Sequence, residues 1–201
     1  MRRRSRIIAE GVLVSVAALA ISLAVVLGGA EGTQFPDLAA QVRDTFTSAL
    51  TAWETDGYGS PGTVENNVPP PLPTAAERAQ QKEAGYADAE RYFDPSLAAQ
   101  LKDRVDRSAT MQQDLNQRML GAGIENLDIE SVRFDDSGSS ATIVATYTHW
   151  ANSAQQTPGT GLWTVFTPSN DVRVTVTMER QSSGDWVVTD YLGEFINGTG
   201  P

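Results

Sequence analysis

The stretch DVRVTVTMERQSSGDWVVTDYLGEF, Asp171 to Phe195, decides the fold. Val172, Val174, Val176 and Met178 alternate with polar residues, a polar run closed by Gly184 follows, and a second alternating run opens at Trp186. Period two on both sides of a short turn predicts a β-hairpin with one face buried. In its second arm Trp186, Val188 and Leu192 share a parity, and Asp190 falls among them.

Further strands precede the hairpin. From Ile124 to Phe134 the apolar positions switch parity, Leu127 and Ile129 on one and Val132 and Phe134 on the other, which calls for a β-bulge near Glu130. After the turn DDSGSS, Ala141, Ile143, Ala145, Tyr147 and His149 share one face of the next strand. Residues 152–161 read as loop, LWTVF as a short strand and residues 168–170 as a turn.

Helices come first in the chain. Phe35, Leu38, Val42, Phe46, Ala49 and Trp53 recur at helical spacing and end near Glu54. The Pro/Gly-rich stretch 55–73 reads as an exposed spacer loop. Thr74 and Glu77 form a capping box for a second helix ending near Phe93, and Asp94-Pro95 stops it and starts a third. Leu97, Leu101, Val105, Leu115 and Met119 mark the inner face of that third helix, which Gly121 and Gly123 are suited to end. Helices followed by strands predict an α+β domain, three helices packed on a curved antiparallel sheet of about four to five strands.

Residues 11–30 carry no charge and follow four arginines. As a helix they span about 30 Å, one hydrocarbon core. The predicted layout is a cytoplasmic basic tip and transmembrane anchor over 1–30, an extracytoplasmic domain over 31–196 and a polar tail over 197–201. A signal peptide cleaved near Ala30 is the alternative, and it exports the same domain. The first 30 residues carry +3, so the rest carries −13 against a total of −10. That acidity excludes nucleic acid as a partner, because phosphate backbones repel it. With no cysteine and one histidine, thiol chemistry and multi-histidine metal sites are excluded too, and no cofactor is implied.

The tandem helices, FDDSGSSATIVATYTHW and VRVTVTMERQSSGDWVVTDYL together resemble the nuclear transport factor 2-like superfamily over about residues 35–195. That resemblance implies a cone-like bent sheet wrapped around helices. With one N-terminal anchor and the closing residues Trp186, Val188, Asp190 and Leu192, the chain looks most like the mammalian-cell-entry (Mce)-associated membrane proteins of actinobacteria. An accessory, non-enzymatic role beside lipid-importing complexes is what this likeness implies. The periplasmic domains of type IV secretion and conjugation proteins are similar in architecture.

Enzymes on such a fold use a carboxylate base and hydrogen-bond donors inside the cone. The residues on inward parities that could serve a ligand are Tyr147, His149 and Asp190, with Asp190 as base and Tyr147 as donor the one catalytic pairing available. Capping by Asp190 at a strand end and a rim position for His149 beside Trp150 are the simpler roles. Trp53 and Trp186 read as core, and Trp163, on a short strand between loops, as exposed to a partner. No catalytic or metal motif is present. The expectation is a single-pass membrane protein whose domain assembles with other envelope proteins. A lipid or small apolar ligand in the cone is the second reading, an isomerase-like enzyme the third.

Overall fold

The computed structural model describes residues 30–31, 35–55 and 62–198. The anchor expected over 11–30 lies outside them except for Ala30. Among the described residues no helix is long and apolar enough to cross a membrane.

Three helices lead. Helix α1 spans Pro36–Thr55, with Pro36 and Asp37 in its first turn. Its stripe of Ala39, Val42, Phe46, Ala49 and Leu50 is buried. Helix α2 spans Ala75–Tyr92 and carries the predicted capping box, Thr74 and Glu77 each accepting from the other's backbone N–H. Helix α3 spans Pro95–Met111, capped by Asp94, whose carboxylate accepts from Leu97 N at 2.8 Å. Tyr86 donates to Asp106 at 2.8 Å and Lys82 pairs with Asp106 at 2.6 Å, tying α2 to α3.

The sheet is antiparallel. Strands β1 (Ala30–Glu31), β2 (Gln117–Phe134), β3 (Ser140–Gln156), β5 (Ser169–Arg180) and β6 (Trp186–Gly198) follow one another across it, and β4 (Trp163–Phe166) pairs with the far end of β3. Helix α1 packs on β2 and β6, with α2 and α3 also reaching β6. The covered face supplies Val132, Phe134, Ala141, Ile143, Ala145, Val172, Val174, Val176, Met178, Trp186 and Val188 to one core with the helices. Full burial of one such valine or leucine contributes about 1.5–3 kcal/mol. The hairpin turn closes with Gln181 N to Asp185 O at 2.7 Å, and Gly184 supplies its positive φ of 96°.

The predicted bulge is present as a register shift between Ile129 and Ser131, with two more in β2 at Met119/Gly121 and Glu125/Asp128. Such bulges bend a strand, which curves the sheet over the helices. Four expectations change. Helix α3 stops at Met111 because the Asp114 side chain accepts from Asn116 N at 2.8 Å, a local turn that competes with the helix. Leu115 is therefore 72 % exposed, and Met119, Gly121 and Gly123 belong to β2. Strand β3 runs to Gln156, into the expected loop. Strand β6 continues to Gly198, so the tail begins later than residue 197.

The fourth change concerns the described part of the Pro/Gly-rich loop, which docks on the sheet. Gly62 N donates to Leu120 O at 3.2 Å, and Arg118 Nε to Pro70 O at 2.9 Å. Trp163 N donates to Asn67 Oδ1 at 2.7 Å. These bonds satisfy backbone groups of a segment that forms no regular structure.

Candidate functional site

Two places on the domain hold polar or apolar groups that the core does not require. The first is at the C-terminal end of α1. Glu54 Oε1 accepts from the Tyr147 hydroxyl at 2.6 Å and from the Tyr191 hydroxyl at 3.0 Å, and the two hydroxyls lie 2.8 Å apart. Its second oxygen lies 3.5 Å from His149 Nε2, which makes no hydrogen bond among the described residues. Trp53 stacks obliquely on Tyr191 at 5.0 Å, and the Arg104 guanidinium lies 4.9 Å over the Trp53 ring.

Burial raises both phenols above their ordinary value of 10.0, and the negative charge of Glu54 adds to it. For Tyr147, the Arg104 charge acts in the opposite sense. Both tyrosines therefore stay protonated and serve as donors, with Glu54 as their acceptor. The arrangement joins α1 to β3 and β6 through one carboxylate.

Of the three residues singled out from sequence, Tyr147 and His149 meet here and Asp190 does not. Between Thr177 and Met178 the register of β5 on β6 slips by one, leaving Thr189 as an extra residue. The parity of β6 changes there, so Asp190 is exposed on the convex face and Tyr191 turns inward in its place. Sequence reasoning missed Glu54, Tyr191 and Arg104. One signal for Glu54 was available: a carboxylate in the last turn of a helix opposes the dipole and needs donors from elsewhere. Trp163, expected to be exposed, is half-buried under the Arg118 guanidinium at 5.0 Å.

The second place is the free edge of β6. Strand order leaves β6 at the sheet margin. Phe93 bridges in parallel to Val188, and Asp94 N donates to Val188 O at 2.9 Å. From Asp190 onward no strand among the described residues covers the edge. Leu192, Phe195 and Ile196 lie there 58 %, 70 % and 55 % exposed, and Leu162, Val165 and Phe166 on and beside β4 are also exposed. A groove of about 1100 Å³ lies elsewhere, between the N-terminal half of α1, the α2–α3 corner and the β5–β6 turn.

No family model matches the chain, and no curated protein does. Among solved structures the chain is similar to an IcmL-like type IV secretion system protein from Legionella pneumophila, at 12% identity and TM-score 0.43, over 85% of this chain and 96% of that one. It is also similar to CagV, a VirB8 homolog of the type IV secretion system of Helicobacter pylori, at 13% identity and TM-score 0.39, over 77% and 99%. The intermembrane space region of the chloroplast protein ARC6 matches at 19% identity and TM-score 0.37, over 55% and 76%.

Proposed function

We propose that the chain is a membrane-tethered, extracytoplasmic, non-catalytic assembly module of a cell-envelope complex. The observation that supports it best is the exposed apolar side chains along the uncovered edge of β6, with those of β4 in the same sheet. An edge that no strand among the described residues pairs with, beside exposed Leu192, Phe195 and Ile196, favours association. The charge-free segment 11–30 behind four arginines places the module outside the membrane in this reading.

Glu54 and its two tyrosines fit this reading as a clamp between helix and sheet. Each phenol already has its partner, so a ligand oxygen would have to displace Glu54. Lipid import and type IV secretion or conjugation are the two settings in which such a module is placed, and its partner distinguishes them.

The test is co-purification of the full chain from native membranes in mild detergent. A reproducible envelope partner, migrating with the chain as one complex, is the expected result. A chain that runs as a monomer at all concentrations without a reproducible partner contradicts the proposal. Lipid import components as partners select the first setting, and conjugation components the second.

A further inference from the structure

We propose that the outer edge of β6, from Asp190 on, takes an extended partner segment as an added strand, one that carries basic, apolar and basic residues at alternate positions. The proposal rests on the assembly reading above and adds to it the partner's chemistry and register.

The edge is already used as a pairing surface by the chain itself. The Phe93–Val188 bridge and the Asp94 N to Val188 O bond occupy it at its start, and they end where Asp190 begins. An incoming strand would continue that line, its backbone completing the donors and acceptors left open beyond. Edge strands are often guarded by lysine, proline or a bulge; β6 contains no lysine, arginine or proline, and its bulges at Thr189 and Ile196 bound residues 190–195, which run against β5 without a register shift.

Register fixes what the guest must look like. The convex face of β6 presents Asp190, Leu192 and Glu194 in alternation, opposite Thr177, Thr175 and Arg173 of β5. Arg173 does not serve Glu194, because it pairs with Glu130 at 2.7 Å. Among the described residues neither Asp190 nor Glu194 has an ion-pair partner. A guest residue directly opposite each of these sits about 4.5–5.5 Å away between Cβ atoms, close enough for charge pairing at the two acids and apolar contact at Leu192. On the other face Phe195, 70 % exposed, offers apolar contact to a guest side chain.

The same register argues against a second copy of the chain. A two-fold antiparallel pairing centred on Leu192 sets Asp190 of one copy against Glu194 of the other. It also joins two domains that each carry −13 beyond residue 30. Like charges directly opposite destabilise a strand pair.

The experiment uses the purified full chain in detergent micelles and short synthetic peptides. One peptide alternates threonine with lysine, valine and lysine; a second replaces both lysines by glutamate; a third carries a central proline. Binding is read by fluorescence anisotropy, and backbone occupancy by hydrogen exchange of the amides in 190–198. The expected result is protection of those amides by the lysine peptide alone, with affinity at least about tenfold above the glutamate peptide and falling with salt. The double variant Asp190→Lys/Glu194→Lys should reverse the preference. Absence of protection, protection indifferent to peptide charge, or protection that rises with protein concentration without peptide each overturns the proposal. If those results come from a chain that still co-purifies with an envelope partner, the edge is not the docking site and the assembly reading stands. If the partner is missing too, both fail.

Discussion

Glu54 sits where the helix dipole disfavours it, and two phenols hold it there. Replacing Tyr147 by Phe removes the 2.6 Å bond and leaves a half-buried carboxylate with one donor fewer. The expected cost is about 1–3 kcal/mol, measured by urea denaturation. The same phenols set an alkaline limit. Their folded-state pKa values lie above the ordinary 10.0, so the stability they confer is complete below pH 10 and is lost as pH rises beyond it. The melting temperature should fall above about pH 10, and less steeply in Tyr147→Phe/Tyr191→Phe.

Asp135 works in the opposite direction. Ser137 Oγ donates to it at 2.6 Å, and the backbone N–H groups of Ser140 and Ser139 add bonds that hold its pKa at about 2 against an ordinary 3.8. Its contribution is present above pH 3.8 and lost as pH falls toward 2. Asp135→Asn should lower the melting temperature at neutral pH and flatten its acid dependence between those values, as a thermal series would read. At Gly123 a Cβ would meet the Trp150 ring at 2.6 Å, so Gly123→Ala must displace the indole, at about 1–3 kcal/mol by the same denaturation assay.

Among the elements, those whose signals are local were legible. The capping box at Thr74, the Asp94-Pro95 boundary and the hairpin all rest on a few adjacent residues, and all are found. Asp94→Ala should cost about 1 kcal/mol, because Leu97 N loses its acceptor. What stayed hidden depends on pairing partners distant in sequence. The β6 bulge at Thr189 is set by its register against β5, and it turned Asp190 outward against a simple alternation. The Asp114 turn ended α3 early although apolar residues persisted at helical spacing to Met119. Glu54 was invisible as a site member because its partners lie 93 and 137 residues away. Deletion of Thr189 should be tolerated, since it leaves Val188 inward, Asp190 outward and Tyr191 inward. A folded variant that retains the near-ultraviolet circular dichroism of the parent and melts within a few degrees of it is the expected outcome.

At the scale of the molecule, three helices cover one face of a bent antiparallel sheet, and among the described residues no strand pairs with the outer edge of its last strand beyond Val188. The Pro/Gly-rich loop, which composition alone marks as a spacer, contributes instead to the opposite margin through Asn67 and Pro70. Association falls, in the proposed reading, at the β6 edge, where exposed apolar residues share one strand with two acids that have no ion-pair partner among the described residues. The most direct test is photo-crosslinking in intact membranes from a reactive group at Leu192, with a control at exposed Gln80 on α2. The account predicts one discrete adduct from Leu192, absent from the control and abolished by Asp190→Lys/Glu194→Lys. Adducts equal at both positions, or an adduct indifferent to the charge reversal, would contradict it.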